Sequence, residues 1–337
     1  MSNLTEHKDL EPLIQATNLK MHFKTHKGLL HAVDGIDFSI NAGETLGLVG
    51  ESGCGKSTVG NVVTRLLKRT DGEVRYRGRD VFTEFPDKLE LSKKMQMIFQ
   101  DPYSSLNPKK TVIKILSEPF EIHKYGSEEE TRKAVRAACD RVELSENLMN
   151  RYPHELDGGT RQVVGIARAL SLNPDFIICD EPVSSLDVSV QARIINLLMD
   201  LQEESNLYYL FISHDLSVVR HISNRIAVMY LGQIVETAET DDLFANAMHP
   251  YSIALLSAVP RVNMEGKLSR IVLKGDVPSP IEPGPGCRFA PRCWMAHEDC
   301  LAQNQELTEV TPGHFVFCKY AAESRERAQS AKTTIIV

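Results

Sequence analysis

The sequence predicts an α/β protein. A parallel sheet carries a phosphate-binding loop and is joined by an antiparallel β subdomain, a helical subdomain and a small cysteine-bearing C-terminal extension. Three observations predict this. First, the apolar run Thr45–Val49 leads into Gly50-Glu51-Ser52-Gly53-Cys54-Gly55-Lys56-Ser57-Thr58 and then into a helical pattern over residues 59–67. Strand, G-x-x-x-x-G-K-S and helix, in that order, is the setting in which backbone N–H groups turn inward around a phosphate. Second, an apolar strand at Phe176–Asp180 ends in two adjacent acids, Asp180 and Glu181. Third, the apolar run 207–213 ends in His214-Asp215. Ligands of open α/β sheets bind at the carboxyl ends of such strands.

The 337 residues suffice for two domains, or for one large domain with an appendage. A net charge of −7 disfavours nucleic acid as a partner, because such binders carry a basic footprint. No apolar run approaches the roughly 20 residues that cross a bilayer. Met1 to Leu10 is polar and lacks the apolar stretch of a secretory signal, so the chain is expected to stay in the cytosol, a location compatible with docking onto a membrane protein.

The elements follow in order. Residues 13–41 alternate apolar and polar in short runs, 19–23, 30–33 and 36–40, as antiparallel strands with one wet face do. Phe23 on the first run is either a core aromatic or a platform for adenine. Asn41-Ala42-Gly43 turns the chain into the strand before the loop. Asp71-Gly72 reads as a hairpin, with a strand over 73–76. Residues 82–94 read as loop with a short helix, and 95–99 as a buried strand that breaks at Gln100-Asp101-Pro102. From 111 to about 148 the pattern is helical, and Ser127 followed by three glutamates marks a helix start. Gly158 and Gly159 precede a helix over 163–170. Ser184-Ser185-Leu186-Asp187 turns into a helix over 188–201, and residues 226–230 and 233–236 form a hairpin. Proline and glycine over 275–292 exclude helix. One short strand follows at 314–318, and 321–337 is expected to fray.

Lys56 is placed to reach the β- and γ-phosphates and Ser57 to offer an oxygen to Mg²⁺. Asp180 is the matching Mg²⁺ partner, and Glu181 is positioned to polarise a water as general base. His214 is read as a γ-phosphate contact.

These residues together spell a family. Gly50 to Thr58, Gln100, 156–162, 177–182, 185–187 and His214 resemble, in order and spacing, the Walker A, Q-loop, signature, Walker B, D-loop and H-loop of ATP-binding-cassette (ABC) ATPases. Phe99-Gln100-Asp101-Pro102-Tyr103-Ser104-Ser105-Leu106-Asn107-Pro108, then His249-Pro250-Tyr251 and Gly286-Cys287, resemble the dipeptide/oligopeptide/nickel importers, in particular the second of their paired ATPase subunits. The resemblance implies a P-loop NTPase cassette with a RecA-like core over 1–258, a helical subdomain over about 101–165, and an oligopeptide-transporter extension over 259–337. It implies ATP held by Phe23, Gly50, Ser52, Gly53, Cys54, Gly55, Lys56, Ser57, Thr58 and Gln100. Mg²⁺ would lie on Ser57, Gln100 and Asp180, with Glu181 and His214 catalytic. Asp157, Gly158 and Gly159 would face a partner chain's ATP, beside Asp187 of the D-loop. The implied partners are a second ATPase subunit, two membrane permease subunits reached through the Q-loop region and, indirectly, an extracytoplasmic substrate-binding protein. The implied place is the cytoplasmic face of the cell membrane. Nickel or another small solute is the alternative cargo, and a mainly regulatory nucleotide-binding subunit is the alternative role.

The signature departs from the family's Leu-Ser-Gly-Gly-Gln and reads Leu156-Asp157-Gly158-Gly159-Thr160. A carboxylate beside a triphosphate is repulsive, so the site built from this signature is expected to be degenerate and the working assembly a heterodimer. Cys287, Cys293, Cys300 and Cys318 crowd the last fifth of the chain with no C-x₂-C pair. Four thiolates hold either Zn²⁺ or an iron–sulfur cluster, and spacing does not choose. The resemblance implies a [4Fe–4S] cluster; Arg288 and Arg292, which lie among the cysteines in sequence, are expected to offset its charge. Cys54 and Cys179 read as small buried residues.

Overall fold

A computed structural model describes residues 11–41, 43–259, 271–273, 275–303, 305–330 and 335–336. Ala42 of the turn at 41–43, the segment 1–10 and most of 331–337 lie outside the described residues.

The centre is an eight-stranded sheet. Five strands run parallel side by side: β6 (Met95–Ile98), β7 (Phe176–Asp180), β8 (Tyr208–Ser213), β3 (Thr45–Val49) and β9 (Arg225–Tyr230). From β9 the sheet continues antiparallel through β10 (Gln233–Glu239), β13 (His314–Val316) and β12 (Thr308–Thr311). The parallel strands read as unbroken apolar runs because both faces are covered. Side chains alternate between two cores. Ile177, Cys179, Tyr209, Phe211, Ile226 and Val228 face the helices. Phe176, Ile178, Leu210, Ile212, Ala227 and Met229 face the β subdomain. Each of the isoleucine, leucine, valine, phenylalanine and methionine side chains among these, fully buried, contributes roughly 1.5–3 kcal/mol.

The β subdomain is a four-stranded antiparallel sheet, ordered β2 (Gly28–Ile40), β1 (Ile14–Thr25), β4 (Asp71–Tyr76), β5 (Arg79–Asp80). Residues 30–33 and 36–40, expected as separate runs, belong to the single strand β2. The Asp71-Gly72 expectation is corrected. These residues open β4, with Asp71 paired to Lys20. Gly72 is there because a Cβ would sit 2.1 Å from the Asn18 carbonyl oxygen. The tight turn is instead Arg77-Gly78, both with positive φ, between the paired Tyr76 and Arg79.

Helices α1 (Lys56–Val63) and α2 (Lys88–Lys94) lie with the β subdomain. The helical subdomain contains α3 (Pro102–Ser105), α4 (Val112–Ile122) and α5 (Glu128–Arg141), and leads into α6 (Gly158–Leu170). Ser127 and Glu130 form the capping box that starts α5, as the sequence pattern predicts. α7 (Val188–Ser205), α8 (Leu216–Ile222), α9 (Thr240–Asn246) and α10 (Pro250–Ser257) complete the cassette. β11 (Ile271–Val272) pairs in parallel with β14 (Ile335–Ile336).

The expected fraying over 321–337 is corrected for its first part, which forms α11 (Ala321–Ser330). Its anchors are polar: Ser324 donates to the Met248 carbonyl, and Arg325 bonds the Asn246 side chain. β13 is locked by His314, fully buried between Glu236 (Nε2, 2.8 Å) and Asp242 (Nδ1, 2.7 Å). No described helix is long and apolar enough to cross a membrane.

Candidate nucleotide site

The loop over residues 50–55 leaves the carboxyl end of β3 and enters α1. Gly55 caps α1 at φ 110°, and a Cβ there would meet the Ala32 carbonyl oxygen at 2.0 Å. Glycine is therefore required both by conformation and by the approach of β2. Lys56 is only 4% exposed, and its Nζ donates to the carbonyls of Gly50 (2.8 Å) and Glu51 (3.1 Å). The Gly232 N–H donates to the Cys54 carbonyl at 2.8 Å, so the β9–β10 turn backs the loop. Burial pushes the Cys54 thiol up, which fits a packing role.

A cavity of about 240 Å³ opens over this loop. Gly53, Cys54, Gly55, Lys56, Ser57 and Thr58 line it together with Phe23, while Gly50, Ser52 and Gln100 are not among its lining residues. Leu30, His31, Ala32, Leu231, Gly232 and Pro280 also line it. None of these six was legible as a site residue. They arrive through pairing, as when the His31 N–H donates to the Pro280 carbonyl at 2.9 Å. A larger cavity, about 540 Å³, lies between α4 and α5 and holds none of the expected site residues.

The acids stand on the other side of Lys56 and Ser57. Ser57 Oγ donates to Asp180 Oδ1 at 2.9 Å, across 123 residues of sequence. Burial raises the Asp180 pKa, the charge of Glu181 adds to this, and the Ser57 bond and Lys56 oppose it. A divalent cation on Ser57 and Asp180 would supply the countercharge this buried acid lacks, so the donor set fits Mg²⁺. Glu181 is 8% exposed, and one of its oxygens is shared by two donors. Gln100 Nε2 donates to Oε2 at 2.9 Å, and His214 Nδ1 lies 3.2 Å from the same atom. Lys56 Nζ is 4.0 Å from Oε1. Glu181 adopts φ 44°, a left-handed conformation that costs roughly 1–3 kcal/mol outside glycine. Its N–H bond to the Ile212 carbonyl, 2.9 Å, helps hold it there. Gln100, Glu181 and His214, from the ends of β6, β7 and β8, thus meet at one carboxylate.

The signature lies apart from the cavity, since no residue of 156–162 lines it. Asp157 caps α6. Its Oδ1 accepts the Thr160 N–H (2.8 Å) and its Oδ2 the Thr160 hydroxyl (2.7 Å). These bonds hold the carboxyl below its ordinary range, so it is ionised near neutrality. Asp187 caps α7 in the same manner through Ser189 and Val190. Gly159 is needed where it stands, because a Cβ would lie 2.7 Å from Val190.

Cys287, Cys293, Cys300 and Cys318 line one small cavity with His249 and Phe289. The expected role of the two arginines is corrected. Arg288 bonds Asp34, and Arg292 bonds Glu51 of the phosphate loop, so both charges are directed at acids of the cassette.

A buried lysine in a glycine loop, a serine–aspartate pair and a glutamate held by glutamine and histidine define the ATP-binding cassette of an ABC transporter. Residues 33–184 match the ABC transporter family, and residues 235–300 match the oligopeptide/dipeptide transporter C-terminal region. The oligopeptide transport ATP-binding protein AppF of Bacillus subtilis (strain 168) is 50% identical over 319 residues, covering 91% of this chain and 97% of that protein. The dipeptide transport ATP-binding protein DppF of Haemophilus influenzae is 46% identical over 320 residues, covering 93% and 98%. The dimeric structure of MJ0796, a bacterial ABC transporter cassette, is 32% identical with a TM-score of 0.61, covering 67% of this chain and 98% of that one. The chain belongs to the ATP-hydrolysing subunits of the oligopeptide/dipeptide ABC importers.

Proposed function

We propose that this chain hydrolyses ATP to drive import of di- or oligopeptides, as one half of a heterodimer on the cytoplasmic face of two permease subunits. The observation that carries it is the separation of Asp157, Gly158 and Gly159 from the cavity over residues 53–58. One chain offers two half-sites, and a head-to-tail partner completes each. Lys56 and the loop N–H groups bind phosphate, and Phe23 stacks on adenine. Glu181, oriented by Gln100 and His214, accepts the proton of the attacking water, and His214 contacts the γ-phosphate. Ser57 and Asp180, joined by Gln100 as the family resemblance implies, would hold Mg²⁺, which would supply charge stabilisation for the phosphates.

The ionised Asp157 supports an asymmetric pair. This chain's loop and acids work with a partner's signature, and its own signature forms the weak site. The cassette is assigned to residues 1–258, its helical subdomain to about 101–165, and the extension to 259–337, which reaches back by adding β13 beside β10. We assign a [4Fe–4S] cluster to the four cysteines. What supports the reading is that all four cysteines line one small cavity and that four thiolates are a ligand set for such a cluster.

The test is purification of the full complex. Two membrane subunits and a second ATPase should accompany this chain, peptide-loaded binding protein should stimulate turnover, and Glu181→Gln should remove most of it. Turnover that is indifferent to peptide, or largely retained in Glu181→Gln, overturns the reading.

A further inference from the structure

Glu51 is the one acidic side chain within the phosphate loop, and all its polar groups are held. Its N–H donates to the Tyr251 hydroxyl at 2.9 Å. Its carbonyl accepts Lys56 Nζ at 3.1 Å. Its carboxylate takes both ends of one guanidinium, Arg292 Nη1 to Oε2 at 2.7 Å and Nη2 to Oε1 at 3.2 Å. Such two-point charge-assisted bonds fix geometry as well as charge. Arg292 is 8% exposed, and its side chain crosses from the C-terminal extension, 241 residues further along the chain. Tyr251 is fully buried and braced by the rings of Tyr230 and Phe289, at 4.7 and 5.4 Å between centroids.

We propose that Arg292 is a positioning residue of the nucleotide site: it neutralises Glu51, so that the C-terminal extension sets the affinity for triphosphate. The physical need is specific. A loop built to receive a polyanion carries a carboxylate, and an unpaired carboxylate there repels phosphate. Arg292 cancels that charge and cannot lose its proton near neutrality. Tyr251 accepts the Glu51 N–H and so fixes the backbone, while Arg292 fixes the side chain. Two elements of the extension and its approach, the turn 290–292 and α10, thereby grip the first residues of the loop from beneath.

The inference rests on residues 50–58 binding nucleotide. Failure of that premise would show separately, as absence of ATP binding by the unaltered chain. The experiment measures ATP, ADP and AMP affinity of the full chain by calorimetry, for the unaltered protein and for Arg292→Met, Arg292→Lys and the double variant Glu51→Gln/Arg292→Met. Arg292→Met is expected to weaken ATP by roughly tenfold or more, about 1.4 kcal/mol. The loss should be smaller for ADP, smallest for AMP, and should shrink at high salt. Arg292→Lys keeps the charge and should stay within a few-fold of the unaltered chain. The double variant should recover most of the loss, because no unpaired charge remains. Unchanged ATP affinity in Arg292→Met overturns the proposal. So does a double variant as weak as the single, or a loss equal for all three nucleotides, since each would mark a structural effect without the charge. If Arg292→Met does not fold, the lysine and double variants decide alone: a lysine variant that loses affinity tenfold, or a folded double variant that does, overturns it.

Discussion

If the proposed heterodimer is right, replacing Asp157 with serine should raise ATP turnover of the assembled pair. The carboxylate sits at the N-terminus of α6, exposed, ionised and held in place by Thr160. In the proposed head-to-tail pair this residue would face the partner's γ-phosphate. Two unit charges about 4 Å apart repel by about 4 kcal/mol at an effective dielectric near 20. Expressed wholly in the transition state, that would be roughly three orders of magnitude in rate. Relaxation and salt reduce it, and roughly tenfold is the expected gain. The fold itself should be indifferent, because serine and aspartate are equally good N-caps. The assay is steady-state phosphate release by the reconstituted complex under saturating ATP, with the thermal midpoint as control. An unchanged midpoint with no gain in turnover would refute the charge argument and leave Asp157 as a helix cap alone.

Gly55→Ala should abolish ATP binding and lower Tm by several degrees. The φ of 110° costs roughly 1–3 kcal/mol for a residue with a Cβ, before the clash with the Ala32 carbonyl. An unchanged Tm would contradict it. Burial alone would lower the His314 pKa, but Glu236 and Asp242 outweigh it and raise the pKa above 6.5. That stabilisation is therefore complete below pH 6.5 and is lost as pH rises through the raised value. Urea unfolding should show the decline as pH rises above 6.5, and His314→Leu should remove it while costing about 3–5 kcal/mol. A flat profile in the unaltered chain would refute this. Anaerobic preparations should be brown and contain iron with acid-labile sulfide, and a colourless protein with one zinc per chain would refute the cluster.

What was legible in the sequence had a local physical signature. β3, β7 and β8 are unbroken apolar runs because both faces are covered, and the loop after β3 carries Gly50 and Gly55 where another backbone approaches. The meeting of Ser57 and Asp180 was legible because one parallel strand, β3, runs into the glycine loop and another, β7, ends in an acid. What was not legible depends on pairings between distant segments. Pro280 lines the nucleotide cavity only because it pairs with β2, and no spacing joins Arg292 to Glu51. Gly72 looked like a turn residue because glycine serves equally for a turn and for a close backbone approach. α11 was missed because polar bonds to Met248 and Asn246 hold it in addition to its few apolar contacts. The left-handed φ of Glu181 has no sequence mark at all.

The two departures in the signature form one structural unit, which makes a final prediction separable from the first. Leu-Ser-Gly-Gly-Gln contains S-x-x-Q, a capping box in which the N-cap oxygen and the glutamine three residues on satisfy each other's backbone N–H. Here the pair is Asp157 and Thr160, and the reciprocity is gone: both bonds run from Thr160 to the carboxylate. Threonine at 160 thus helps keep the carboxylate ionised and in place. Thr160→Gln alone should leave turnover unchanged, since the charge remains, and should cost about 1 kcal/mol through the lost hydroxyl bond. Asp157→Ser/Thr160→Gln should match Asp157→Ser in turnover, while its stability exceeds the sum of the single effects by about 0.5–1 kcal/mol as the box re-forms. A double variant that outpaces Asp157→Ser in turnover would place the defect in signature geometry and remove charge as its cause.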